Sequence, residues 1–472
     1  MIGHRDAIVL FALAVGAVFA ASGTTPLFDQ DEAAYAGFAH RMLTTRDWLT
    51  IDFLWSDIHR KPPMHFWLIA QSGALLGEGL FSLRLTAALA FLGTVGVLAV
   101  WGAPLFGADR ARRAAIVMAT SLMPIIGKIA LTDASLLLAQ TLAALALLHR
   151  RPLILWLAVA VGMLIKGPPI LILIGGMGAV LLLLSPPHRT IRLWWGAVLA
   201  PIPLLIWGFL SWQQDDGALV RWMVDWYILR RAEGTLGHTG PPGYYLVTFV
   251  LFLFPWTAFL FQGLWQTARR RDPLDPHLIA WMVGGWLIYA IIPSKLPAYA
   301  AGAWPAIALV IAGQLEQPVA DSLGRALTVL VAALIGGGLF WIGTPTAIGV
   351  GALLLLSTAL IVTFQQWRWA GLIAPLLLMA VWWGVLPDLH QRLFVTHRLA
   401  QVAARFERPV SIAHNYRLPS LGVYLAWRGV PIEDVPDAVQ ITDGPDRPSP
   451  DAIPVDGWIP DKGAPIRFWV VP

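Results

Sequence analysis

Long apolar runs broken by short polar stretches dominate the chain, centred near residues 7–22, 83–101, 114–127, 134–148, 152–165, 170–184, 193–210, 244–263, 278–292, 298–314, 326–342, 346–364 and 370–386. A helix needs about 20 apolar residues to cross a hydrocarbon layer, so the pattern predicts about thirteen transmembrane helices, several of them slightly short. The stretch Met64–Leu76 is apolar too, but ~13 residues are few for a crossing and predict an interfacial or re-entrant helix. The opening run Ala7–Ala21 shows no clear small-residue cleavage site and reads as a retained span. No fixed-period repeat is visible. After Asp388 the pattern changes. "RPVSIAH", "PIEDV" and "IRFWVVP" read as short strands, "PSLGVYLAWRG" as an amphipathic helix ended by Gly429, and "DGPDRPSPD" as a loop. The expected architecture is an α-helical polytopic membrane protein: a transmembrane domain over 1–387 with an outer loop 23–82, then a small α/β domain over 388–472.

Composition agrees. Of 472 residues 57% are hydrophobic and only 13% charged, a balance that no soluble domain of this size shows. There is no cysteine, which removes disulfides and thiolate metal sites. The net charge of +5 is modest. Arginine clusters sit in alternate short loops, at Arg110, Arg112 and Arg113; Arg150 and Arg151; Arg189 and Arg192; Arg269, Arg270 and Arg271; then Arg325 and Arg368. The positive-inside rule places these loops in the cytoplasm. The loop 23–82, the loop 211–243 and the tail from Asp388 then face outward, with the N-terminus inside. Nucleic acid is not an expected partner.

Acid and lysine collect on that outer side. "FDQDEAAYAGFAHRM", Phe28–Met42, sets Asp29, Asp31 and Glu32 at the start of a helix. Asp29 and Glu32 have capping-box spacing, so Asp29 reads as an N-cap, and Asp31 falls in the first turn, where the helix dipole favours its ionised form. Such a carboxylate can orient a reacting hydroxyl and accept its proton. Asp133 in "LTDASLLLAQ" also stands at an outer helix start, with an N-cap as its alternative reading. The chain has five lysines, and four of them, Lys61, Lys128, Lys166 and Lys295, fall at outer helix ends. Charge in lipid needs a partner, and a lipid phosphate is one that lysine meets as a point charge. The alternative for each is a head group snorkelling at a helix C-terminus, favoured by the dipole. His238 lies beside a Pro-Pro turn in "RRAEGTLGHTGPPGYY".

The segments "DEAAYAGFAHRMLTTRDWLT", "KPPMHFWLIAQSGALLGEGLFSLRL", "LIKGPP", "GHTGPPGYYLVTFVLFLFPWTAFL" and "SKLPAYA" stand in the order seen in membrane glycosyltransferases of the GT-C fold. Over roughly residues 5–315 the chain resembles the lipid A aminoarabinose transferases and the bacterial enzymes similar to protein O-mannosyltransferases. In that family an outer-face cavity accepts a sugar linked to polyprenyl phosphate. The resemblance implies that Asp31 is the essential loop aspartate, Asp133 the second acid, and Lys61 a contact to the donor phosphate. It also sets His238 near a metal position, so a divalent ion is left open as a cofactor. Arg60 stands where the aminoarabinose enzymes tend to have an acid, and Ala34 where they have arginine; sugar identity is left open accordingly.

These readings combine into one expectation. The chain is an inverting glycosyltransferase moving a sugar from undecaprenyl or another polyprenyl phosphate to an envelope lipid or glycan, at the periplasmic face of a bacterial inner membrane. Asp31 and Asp133 are the catalytic acids. Lys61, Arg60, Lys166, Lys295 and Lys128 would meet the donor phosphate, and Glu32, Tyr35 and Tyr299 the substrate. Two alternatives stay open, a protein O-glycosyltransferase and a secondary transporter. The transporter is disfavoured because its charges would sit near the bilayer midplane, often in repeated halves.

Overall fold

The structure is a computed structural model and describes residues 4–184, 195–230, 239–241, 243–269, 272–317, 319, 322–412, 418–459 and 464–472. Among the described residues, five helices are long and apolar enough to cross a membrane: Leu80–Trp101, Trp195–Asp215, Ser322–Ile342, Pro345–Phe364 and Trp367–His390. Shorter apolar helices run over Asp6–Phe19, Thr132–Leu148, Pro152–Lys166, Pro169–Leu184 and Pro297–Ala312. Leu205, Phe209, Leu334, Trp341 and Leu353 stand exposed on the long helices. Water would disfavour such a surface; lipid does not.

The chain divides into two compact units. One comprises Met1–Ala20, Ala87–Lys128 and Thr132–Val381. Within it, Trp304–Ala312 is buried at every position, as expected of a helix apolar on all sides. The helices Thr132–Leu148 and Pro152–Lys166 pack against each other across the short connection His149–Arg151. At Gly284 a Cβ would come within 2.3 Å of the Leu173 carbonyl oxygen, so only glycine permits this backbone approach. The apolar stretch 244–263 is not one helix. It breaks into Tyr244–Phe252, a 3-10 turn Trp256–Phe259 and Leu260–Ala268, because Pro255 has no N–H to continue the ladder.

The other unit comprises Ala21–Thr86, Ile129–Leu131 and Trp382–Pro472, so the segment 23–82 groups with the C-terminal segment. Met64–Leu76 is a 13-residue helix packed on the helix Asp31–Thr45. Gly37 lies flat under the ring of Phe53, where a Cβ would come within 2.2 Å of the ring. The C-terminal part carries a four-stranded sheet of β1 (Val410–Ile412), β2 (Val439–Asp443), β3 (Ile453–Ile459) and β4 (Ala464–Val471), in the order β1-β2-β4-β3. β1 and β2 are parallel, joined through the helix Pro419–Ala426, and β4 runs antiparallel to both β2 and β3. Val439 and Ile441 are buried at alternate positions of β2, and Phe468, Trp469 and Val470 are all buried on β4.

Two sequence expectations change here. "PIEDV" is not a strand; it meets the sheet at the isolated bridge Val410–Ile432 and through Asp434, which accepts from the Ser411 hydroxyl. The strand that pairs beside β1 is "VQITD" further on, and the hairpin partner "IPVDGWI" was not foreseen. Their alternation is too brief to stand out from a loop.

Candidate functional site

Asp31 opens the helix Asp31–Thr45, whose alanine-rich body buries Ala33, Ala34, Tyr35 and Ala36. One turn on, the Tyr35 hydroxyl donates to Asp31 Oδ1 at 3.2 Å. The segment Asp57–His59 makes a 3-10 turn that ends at Arg60 (φ −58°, ψ 135°), and Lys61 follows, just before Pro62. That places two further groups on the same oxygen: His59 Nδ1 at 2.9 Å and Lys61 Nζ at 3.3 Å. A carboxylate only accepts, so Nδ1 carries the proton. Lys61 Nζ also contacts the Tyr35 hydroxyl and stands 4.6 Å from the centre of its ring. His59 Nε2 rests 3.1 Å from Gln30 Oε1.

The side chains of Lys61 and His59 are only 11% and 10% exposed, while Asp31 is 48% exposed. A buried basic platform therefore presents a half-exposed carboxylate. Burial pushes the Asp31 carboxyl up, but the Lys61 charge and the His59 hydrogen bond and charge outweigh it, holding the carboxyl well below its ordinary value. Asp31 is thus ionised at any physiological pH and is a weak proton acceptor. Its lowered value stabilises the fold above the usual carboxylate range, and that contribution is lost as pH falls through the folded value.

A second acid–lysine–tyrosine group lies in the helical unit. Asp133 is in the first turn of Thr132–Leu148, and Lys166 ends Pro152–Lys166 just before Gly167, which has φ of 76°. Lys166 Nζ donates to Asp133 Oδ1 at 2.6 Å and lies 5.5 Å from the Tyr299 ring centre. Each charge sits at the helix end its dipole favours.

Several sequence assignments need correction. Asp29 is not the N-cap: Gln30 takes that position without a side-chain cap, and Asp29 accepts from the backbone N–H and hydroxyl of Ser420. Glu32 does not face a substrate. It is 1% exposed and its two oxygens are filled by Arg84 Nε at 2.8 Å and Nη2 at 2.7 Å, Ala130 N at 2.9 Å and Phe28 N at 3.0 Å. Lys128 and Lys295 do not await a phosphate. Lys128 donates to the carbonyls of Ala17 and Ala20 at the end of the helix His4–Phe19, and Lys295 to those of Tyr289, Ala290 and Ile292 at the end of Ile288–Ile291. Both satisfy orphan carbonyls at helix C-termini, where the dipole favours a cation, but their heads are buried and do not snorkel to water. Arg60 is shared between Asp52 and Asp57, each at 2.7 Å, and braces its own loop. His238 lies outside the described residues. Among the described residues, no three His, Asp or Glu side chains cluster as a metal site.

Sequence reading passed over His59, Gln30 and Arg84. Arg84 carried a signal, being a charge inside an apolar helix. Its guanidinium is 1% exposed and also donates to the carbonyls of Ser22, Thr25 and Pro26 at 3.0, 2.6 and 2.9 Å, tying down the chain ahead of Asp31. Removing one partner of such a pair strands a buried charge. Glu32→Gln is therefore expected to destabilise the protein by about 3–5 kcal/mol, read as a lower thermal unfolding midpoint in detergent. An unchanged midpoint would overturn this account of the pair.

Residues 60–212 match the family described as dolichyl-phosphate-mannose-protein mannosyltransferase. The chain is similar to the undecaprenyl phosphate-alpha-4-amino-4-deoxy-L-arabinose arabinosyl transferase of Edwardsiella ictaluri, 28% identical over 335 residues that cover 66% of this chain and 60% of that one. A counterpart in Pseudomonas fluorescens is 26% identical over 379 residues, covering 71% and 65%. The match thus spans less than two thirds of these curated relatives. The crystal structure of ArnT from Cupriavidus metallidurans bound to undecaprenyl phosphate superposes with a TM-score of 0.78 at 19% identity, over 99% of this chain and 98% of that one. This chain therefore has the fold of that helical membrane protein, and it resembles the GT-C glycosyltransferases as its motifs imply.

Proposed function

We propose that the chain is an inverting membrane glycosyltransferase that takes a sugar from a polyprenyl-phosphate donor and passes it to an envelope lipid or glycan. The observation that carries this reading is the half-exposed, ionised Asp31 seated on Lys61, His59 and Tyr35. Support comes from the arabinosyl transferases it resembles and from the fold it shares with a protein seen bound to undecaprenyl phosphate.

The reaction forms a bond from the acceptor oxygen to sugar C1 as the bond from C1 to the phosphate oxygen breaks; polyprenyl phosphate leaves with the electron pair, and the proton of a hydroxyl acceptor passes to the departing phosphate or to water. Lys61 stabilises the negative charge growing on the leaving phosphate, the kind of interaction that supplies the largest share of many rate enhancements. Asp31, a weak base, acts chiefly by accepting a hydrogen bond from the acceptor and orienting its oxygen, a task in which geometry counts more than basicity. Asp133 and Lys166 are assigned supporting roles. The site and the segment 388–472 are assigned to the periplasmic face, on the strength of the arginine-rich short loops opposite.

A second reading, transfer to serine or threonine of a protein, is favoured by the family matched over residues 60–212. The deciding experiment uses radiolabelled polyprenyl-phosphate sugar with right-side-out and inverted membrane vesicles. Label should pass to extractable lipid or glycan from donor and acceptor supplied to right-side-out vesicles only. Label in protein would establish the second reading. Release of label in neither preparation would overturn the enzyme assignment.

A further inference from the structure

The chain just ahead of Asp31 is held by the C-terminal helix Pro419–Ala426. The Leu27 N–H donates to the Tyr424 hydroxyl at 2.6 Å. Two residues on, Asp29 takes the Ser420 backbone N–H at 3.1 Å and the Ser420 hydroxyl, and Ser420 Oγ is 2.7 Å from Thr396 Oγ1 on the helix Val395–Ala403. Between these anchors the Phe28 ring meets Phe394 edge to face at 5.4 Å. The next residues are Gln30, which touches His59, and Asp31 itself. Ser420 is wholly buried and Tyr424 is 3% exposed, so the two hydroxyls serve the interior and not solvent. On the other side Arg84 ties down residues 22–26 and the Phe28 N–H donates to Glu32 Oε2 at 3.0 Å, while the C-terminal helix holds Leu27 and Asp29.

Resting on the function proposed above, we propose that Ser420 and Tyr424 are positioning residues for the transfer. They fix the backbone at residues 27–29, and thereby the angle at which Gln30 and Asp31 meet His59 and Lys61. The C-terminal segment would then set the geometry of the catalytic acid without touching substrate. A helix doing this work should act on turnover more than on donor binding, because the Lys61 contact to phosphate does not run through it.

The test is Tyr424→Phe and Ser420→Ala in the full chain, each removing one hydroxyl and keeping the packing volume. Donor-dependent initial rates are compared with hydrogen–deuterium exchange of peptides covering 27–34. Both variants should lose about 10- to 100-fold in kcat, since displacements near 1 Å have such effects. KM for the donor should stay within about twofold, and exchange at 27–34 should rise. Unchanged kcat per folded protein, even with a lower unfolding temperature, would reduce the contact to ordinary packing and overturn the proposal. So would a fall in kcat without faster exchange. If the wild-type chain transfers no sugar at all, the function reading fails, and unchanged exchange at 27–34 would overturn the clamp as well.

Discussion

Asp31→Asn is expected to reduce turnover by about 10²-fold or more, while Asp29→Asn keeps much of its activity. The two aspartates are two residues apart, yet their surroundings differ in kind. Asp31 is the acceptor shared by Tyr35, His59 and Lys61, and asparagine would offer Lys61 a neutral oxygen in place of a charge. The lysine beneath it is largely buried, so it loses its counter-charge in a place where water cannot replace it. Asp29 accepts from Ser420, and asparagine preserves an oxygen for the backbone N–H. The measurement is initial rate at saturating donor, normalised to folded protein. Equal, mild losses in the two variants would sink the assignment of Asp31. The same site makes a pH statement. Because the Asp31 carboxyl is held well below its ordinary value, its ionisation should not shape the acid limb of the rate profile between about pH 5 and 7.

Lys61→Met should cripple donor use, and Lys61→Arg should retain more activity than either Lys61→Met or Lys61→Ala. If Lys61 were a snorkelling lysine, its head would reach water and methionine would serve, because only the apolar stem would be packed. The structure puts the head in the interior, on Asp31 and Tyr35. Removing it takes away the positive charge proposed to face the donor phosphate and leaves Asp31 with His59 and Tyr35. Arginine restores the charge but brings a planar fork in place of a compact ammonium, so recovery should be partial. The readout is initial rate against polyprenyl-phosphate sugar concentration, with the loss expected in kcat/KM at low donor. Near-wild-type rates from Lys61→Met would remove Lys61 from the site and leave Lys166 as the lysine to test.

The two kinds of lysine show where sequence reading stops. Lys61, Lys128, Lys166 and Lys295 look alike as isolated charges at the ends of apolar segments. Two of them close helix C-termini by donating to carbonyls, and two pair with an aspartate beside a tyrosine. What separates them is the identity of the nearest acceptor, which is set by chain segments up to 111 residues away in the case of Lys128 and Ala17. The capping-box spacing of Asp29 and Glu32 misled for a similar reason. Local spacing favours a cap, but Glu32 is taken by Arg84, 52 residues on, and Asp29 by Ser420, 391 residues on.

The sequence by itself determined that the chain is helical and lives in a membrane, and it singled out Asp31 and Lys61, whose side chains the structure brings within 3.3 Å. Those properties follow from hydrophobic period, charge count and motif order, all of which are local along the chain. Only the tertiary structure decided which acid is presented and which is buried, which lysines are spent on carbonyls, and that His59, Gln30, Ser420 and Tyr424 surround or brace the carboxylate. A buried charge or hydroxyl takes its role from the partner that compensates its lost hydration, and that partner is chosen by packing between distant segments.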